Sequence, residues 1–291
     1  MTRPGLRDAM RRMDTRSFPP LYLSHGSPMI ALERSPAALF LDRLGPVIEA
    51  TFGRPRAILI VSPHSATRAP FALAAKRHEA VYDFGGFPDE LYRLRYDPPG
   101  DPALAADVAR RLSSADIATQ VAENVGIDHG IWTLMRRAWP DADLPVMPLT
   151  LVPNWSPDKQ WAVGAALAPL ADEGVLIIGS GSTTHNLRRY FGEPRVPDAA
   201  VLPDVAGFQA WVDERVRTAD WAGLRNYRNA EPSAARQHPT DEHWLPIYIA
   251  GGAGGETSPG ARIHASVDGG MLAMDGYAFG PQAVKLAAAL Q

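Results

Sequence analysis

Three histidines stand just beyond short apolar runs: His25 closes PPLYLSH, His64 closes RAILIVSPH, and His185 ends the turn GSGSTTH directly after Val175-Leu176-Ile177-Ile178. Imidazoles drawn from distant parts of a chain to one point bind first-row metals. Two further histidines have acidic neighbours, Asp128-His129 in GIDHGIWTLM and Glu242-His243 in HPTDEHWLPIYIAGG. Asp128 reads as a helix N-cap that leaves His129 in the first turn. Thr240 reads likewise as an N-cap, which puts Glu242 and His243 in a first turn at different angles. Two histidines with Glu242 would make the facial set that holds non-haem Fe(II), whereas His243 in its place would make an all-imidazole site equally suited to zinc. Spacing leaves both open.

A single histidine at a strand end is more often hydrogen-bonded to backbone than bound to a metal, but three in equivalent positions shift the balance toward ligation. The turn GSGSTT could cradle a phosphate, yet it lacks the P-loop lysine and the spacing of a dinucleotide fingerprint. It also departs from the G-x-S-x-G elbow of a serine nucleophile, since Thr183 stands where the last glycine belongs. The chain has no cysteine, which removes disulfides, zinc-thiolate sites, iron–sulfur clusters and a thiol nucleophile together. Any metal must be held by nitrogen and oxygen.

The elements that must position these residues follow from apolar periodicity. Continuous runs rich in Val, Ile and Leu at 21–23, 57–61, 146–152 and 175–178 read as strands buried on both faces. Between them, residues 37–50, 102–112, 130–138 and 159–171 repeat apolar positions every three or four residues and read as helices. The alternation predicts an α/β fold: one domain over 19–291, with a mainly parallel or mixed central sheet flanked by helices. In such sheets ligands bind beyond the carboxyl ends of the strands, where His25, His64 and His185 lie. Helices are also expected at 205–216, 221–227 and 281–290, and a hairpin over 262–274 turning at Asp268-Gly269-Gly270.

A chain of 291 residues with 46% hydrophobic and 21% charged composition is long enough and apolar enough for a sizeable core. Its formal net charge of -3, with dispersed basic residues, offers no footprint for nucleic acid or an anionic membrane. The start, MTRPGLRDAMRRMDTRSFPP, lacks the apolar stretch of roughly 7–15 residues that a secretory signal needs. Residues 1–18 are therefore expected to form a flexible extension on a cytoplasmic protein. No run approaches the roughly 20 apolar residues of a membrane span.

Taken in order, SHGSPM, VSPHS, YDFGGFPDELY, GIDHGIW, GSGSTTHNL and PTDEHWLP run from about Leu21 to near the final helix. Together they resemble the DODA-type extradiol aromatic ring-opening dioxygenases, the 4,5-DOPA dioxygenase branch of the class III extradiol superfamily. The resemblance implies a metal held by His25, His64 and His243, with His185 as a fourth ligand or the catalytic base and His129 as a second catalytic histidine in the pocket. It implies one divalent metal per chain, Fe(II) for activity with Zn(II) a possible occupant, and a substituted, DOPA-like catechol opened by O2 to a muconic semialdehyde. Many relatives carry Ala and Trp around the second ligand histidine, where this chain has Pro63 and Ser65. Ser65 is therefore expected to shape substrate choice, together with Asp83, Phe84 and Phe87 of the glycine-rich aromatic loop 82–88. His78, His238 and His264 read as surface or hydrogen-bonding residues. Two rival readings use the same histidines: a zinc-dependent hydrolase, and a Memo-like binding protein without turnover. A small aromatic diol and O2 are the expected partners, as a monomer or a homodimer.

Overall fold

A computed structural model describes residues 17–124, 126–192 and 199–291. The expected N-terminal extension lies outside the described residues, apart from Ser17 and Phe18. Phe18 is buried, with its ring centroid 6.3 Å from that of Phe52.

The strands are β1 (Leu21–Ser24), β2 (Ala57–Ala66), β3 (Phe71–Leu73), β4 (Glu79–Ala80), β5 (Gln120–Ala122), β6 (Gly126–Ile127), β7 (Val146–Leu151), β8 (Val175–Gly181), β9 (Ala261–His264), β10 (Val267–Asp268), β11 (Leu272–Ala273) and β12 (Gly276–Ala278). Eight of them make one mixed sheet in the order β5-β3-β7-β2-β8-β1-β12-β9. Its centre, β7-β2-β8-β1, is parallel, and β12 and β9 extend it antiparallel. The expected hairpin is present as β9 to β12, tipped by the β10–β11 pair, with Gly269 and Gly270 at φ 57° and 72° in the turn.

The central strands lack polar alternation because both faces are covered. Leu21, Leu23, Ile58, Ile60, Leu176 and Ile178 join one apolar cluster with helices Pro36–Phe52, His129–Ala138 and Ala283–Leu290. Their alternating neighbours Tyr22, Leu59, Val61 and Ile177 join another, with helices Pro102–Ser114, Pro157–Leu167 and Pro246–Gly254. This is the period-2 division of a strand between two layers. Helix Pro36–Phe52 starts where Ser35 Oγ accepts from Ala38 N at 3.3 Å, and Pro36 fills the first position, where no N–H is needed.

Two departures from the sequence expectations bear on function. First, β2 runs on past residue 61, but its register with β7 jumps from Ser62↔Thr150 to Ala66↔Leu151. Pro63, His64 and Ser65 therefore loop out of the ladder, at a residue whose nitrogen cannot donate to it. Second, the helix after His243 begins only at Pro246, and Glu242, His243 and Trp244 lie in the turn before it. Thr240 does not cap it: the Asp241 carbonyl accepts from Trp244 N and Leu245 N, and Thr240 Oγ1 donates to Glu242.

Helix Pro246–Gly254 lies almost backbone-to-backbone on helix Pro157–Leu167. A Cβ on Gly164 would stand 2.0 Å from Ile249 O, and one on Gly252 would stand 2.1 Å from Trp161 O. Among the described residues no helix is long and apolar enough to cross a membrane.

Gly164→Ala should lower stability by about 1–3 kcal/mol, because backbone rather than a flexible side chain blocks the new methyl. The check is thermal denaturation beside Gly207→Ala, whose Cβ would meet nothing within 4 Å and should keep or raise the midpoint. Asp275 offers a pH test. It is fully buried, accepts from Gln209 Nε2 at 2.7 Å, and is pushed by burial from 3.8 up to about 6. Between those values the folded state holds a proton that the unfolded state has lost, so this residue's contribution to stability falls as pH rises through the window. Asp275→Asn should therefore match the parent near pH 4 and exceed it at pH 7.5 by up to about 3 kcal/mol in denaturant titrations.

Candidate metal centre

His25 follows β1 directly, and its backbone N–H donates to Gly181 O of the adjacent β8 at 2.9 Å. Its Nδ1 lies 2.9 Å from Ser180 Oγ, while that hydroxyl donates its one proton to Gly130 O at 2.6 Å. Ser180 can then only accept from His25, which fixes the proton on Nδ1 and leaves Nε2 a bare lone pair. His243 reaches the same point from the other side. Its carbonyl is held by Ser182 N at 3.0 Å and Tyr22 OH at 3.1 Å, and its Nδ1 faces Glu242 Oε1 at 3.2 Å. A carboxylate accepts only, so His243 also presents a bare Nε2. Thr240 Oγ1 donates to the same Glu242 oxygen at 2.9 Å and orients it.

His64, looped out of the sheet, completes the set. Its Nε2 stands 3.2 Å from His25 Nε2 and 3.3 Å from His243 Nε2. Bonds of about 2.1 Å to one ion would separate cis nitrogens by about 3.0 Å at right angles and about 3.4 Å at tetrahedral angles. The observed spacings fall between those limits, so the donor set fits a divalent metal. Burial, reinforced by the neighbouring histidines, drives His25 and His243 well below the usual imidazole range and His64 down to about 4. All three are neutral near pH 7, as ligands must be.

The other candidates surround this trio. His185 lies flat on His243, ring centroids 3.4 Å apart and planes within 11°. Its nitrogen groups with Glu242 and His243 and not with the three converging imidazoles. Burial lowers it to about 3. Glu242 stands behind His243, so of the two neighbours the imidazole faces His25 and His64. His129 opens its helix, but Asp128 does not cap it with its side chain: that carboxylate accepts from Ser62 Oγ at 2.7 Å and Ser65 Oγ at 2.5 Å. Burial raises Asp128, outweighing the serine hydrogen bonds. Asp83 Oδ1 meets the His129 backbone N–H and Nδ1, each at 3.0 Å. Burial pushes Asp83 up, yet the contacts with His129 outweigh it and hold the carboxyl below its ordinary range.

A cavity of about 620 Å³ opens above the imidazoles, lined by Ser27, Pro28, Phe84, Phe87, Leu187, Tyr190, Phe191 and Leu272 beside all five of these histidines and Glu242. Phe84 and Phe87 thus wall it. Ser65 and Asp83 do not: they line a separate cavity of about 320 Å³ behind His64, with Asp128 and Thr150. The expected contact of Ser65 with substrate gives way to its hydrogen bond with Asp128, because the loop-out turns its side chain to the far side of His64. His238 donates from Nε2 to Thr183 O at 2.9 Å in the core, and His264 stacks on Phe40. Ser180 and the wall formed by Leu187, Tyr190, Phe191 and Leu272 were missed from sequence. The aromatic pair Tyr190-Phe191, close after His185, was the one available signal.

Residues 19–274 match the family model described as the catalytic LigB subunit of aromatic ring-opening dioxygenase. The chain belongs to this LigB family. A protein of Beta vulgaris named 4,5-DOPA dioxygenase extradiol is 36% identical over 260 residues, 89% of this chain and 95% of its own length. A protein of the same name from Escherichia coli K12 is 34% identical, covering 84% and 88%. A crystal structure of an uncharacterised Escherichia coli K12 protein superposes with TM-score 0.73 at 29% identity, over 90% of this chain and all of that one. This LigB-family chain is an extradiol ring-cleavage dioxygenase of the DODA type, on a single α/β domain with a mixed sheet.

Alanine at His25, His64 or His243 should abolish stoichiometric metal in this LigB-family enzyme, measured by elemental analysis after reconstitution. Ser180→Ala, which frees the His25 tautomer, should weaken metal affinity about 10–100-fold in a competitive chelator titration.

Proposed function

We propose that this enzyme opens the ring of a catechol bearing a side chain, at an Fe(II) held by His25, His64 and His243, to give a muconic semialdehyde. The observation that carries the reading is the convergence of three bare Nε2 atoms on the floor of a cavity walled by Phe84, Phe87 and Tyr190. Bound there, Fe(II) would supply a docking point for both catechol oxygens and electron exchange with O2. The cavity is large enough for a single ring with a substituent, and its aromatic walls suit a flat ring. DOPA, for which several relatives are named, is the reference compound.

The remaining roles belong to side chains. Among the described residues neither ring nitrogen of His185 has a hydrogen-bond partner, and burial keeps the ring neutral, so it can accept a hydrogen bond from a catechol hydroxyl and receive that proton as the catecholate forms on the metal. His129, held through Nδ1 by Asp83, turns its other nitrogen toward the cavity and serves as the second proton-handling group. Phe84 stands edge-on to His129 with centroids 5.6 Å apart and gives the cavity an apolar wall on that side. Zinc would fit the same nitrogens but supply no redox chemistry.

The test is anaerobic loading with Fe(II), then oxygen uptake and product absorbance across a panel of substituted catechols including DOPA. One O2 consumed per ring opened is expected. Hydrolysis of an ester or amide panel by the zinc form, with no oxygen uptake by the iron form, would overturn the reading. His185→Gln should lower kcat about 10²–10⁴-fold while catechol binding stays measurable. Loss of metal in that variant would instead make His185 a fourth ligand.

A further inference from the structure

We infer that Asp83 is a positioning residue for ring opening, which acts through His129 and His64 and does not touch the substrate. The inference rests on the ring-opening reading for its consequence, but on geometry for its substance. Oδ1 of Asp83 accepts from both the backbone N–H and Nδ1 of His129, each at 3.0 Å, and Oδ2 stands 3.6 Å from Nδ1 of His64. One carboxylate therefore spans two imidazoles whose centroids are 4.0 Å apart. An ionised carboxylate offers acceptors only, so His129 donates Nδ1–H to it, while His64, beyond hydrogen-bond reach at 3.6 Å, faces it with Nδ1 and is favoured electrostatically with its proton there. Their Nε2 atoms are then left bare, that of His64 toward His25 and His243, that of His129 toward the cavity.

Asp83 also does for helix His129–Ala138 what Asp128 does not, satisfying an N–H in its first turn. The carboxylate cannot easily swing away. Tyr82 OH donates to Leu94 O at 2.5 Å, and Trp132 Nε1 donates to Val81 O at 3.0 Å, which pins the chain just before it. The next residue, Phe84, walls the cavity, so the segment that confines the ring also sets which nitrogen of His129 carries a proton. A partner that fixes tautomer and ring orientation for a ligand histidine commonly governs affinity or activity without meeting substrate.

The experiment uses the full chain with Asp83→Ala and Asp83→Asn. Nitrogen-15 spectra of the zinc-loaded protein, with selective assignment of His129, read the tautomer without any turnover. The parent should show the proton on Nδ1, and Asp83→Ala should lose that preference. In the iron-loaded enzyme the same variant should lower kcat at least about ten-fold. KM should stay within about three-fold, since a group that misses the substrate leaves ground-state binding alone. In a His129→Gln background the Asp83→Ala change should cost much less than in the parent, because its effect through His129 is already gone. If Asp83→Ala does not fold, Asp83→Asn carries the same kinetic readouts, with an amide N–H₂ set against one of the two imidazole N–H groups. An unchanged His129 tautomer in Asp83→Ala, or a raised KM with kcat intact in either variant, would overturn the inference. Failure of the iron-loaded parent to open any catechol would sink the ring-opening reading instead, and the tautomer spectra would still decide what Asp83 does.

Discussion

Three imidazole nitrogens, each with its lone pair turned inward, converge on the carboxyl side of the sheet, that of His64 lying 3.2 Å from that of His25 and 3.3 Å from that of His243. Left to themselves, such groups would rotate, protonate or take up water. Each is prevented by a partner on its outer nitrogen: Ser180 for His25, Glu242 for His243 and, at longer range, Asp83 for His64. The inward lone pairs and the outer partners are two halves of one arrangement. A divalent cation is what the inner half suits, and neutral ligands are what burial provides.

Much of the fold serves to hold that arrangement still. The parallel trio β2-β8-β1 brings His25, Ser180 and the base of the His64 loop-out to one level, because neighbouring parallel strands end on the same side. His243 comes from no strand. Its position depends on hydrogen bonds to its carbonyl from Ser182 and Tyr22, and on the helix that follows, seated through Gly164 and Gly252. A helix that close to its neighbour has little freedom to slide, and the turn that carries His243 shares that restraint.

The same economy separates the two carboxylates near His129. Asp128, next to it in sequence, is occupied by two serine hydroxyls, whereas Asp83, far away in sequence, holds the imidazole. Adjacency in the chain would have paired them the other way. The cavity wall follows a similar division: Phe84 and Phe87 arrive from the glycine-rich loop, and Leu187, Tyr190 and Phe191 arrive from the short helix after His185.

The sequence by itself determined the four long central strands and the helices between them, since uninterrupted Val, Ile and Leu runs leave few alternatives to a doubly covered parallel sheet. It also placed His25 and His185 beyond strand ends, whereas His64 lies within β2, at the loop-out. The short strands β3, β4, β5 and β6 were not legible, because pieces of two or three residues carry no periodicity. Nor was the direction of Ser65, which depends on a register jump at Pro63 that only pairing with β7 reveals. Spacing also could not choose between Glu242 and His243; the carbonyl anchor on His243 turns the imidazole toward His25 and His64 and leaves the carboxylate behind it. The difference has one physical cause. Apolar patterning is written locally along the chain, whereas the direction in which a side chain points once the ladder stops is set by hydrogen bonds to residues tens to hundreds of positions away.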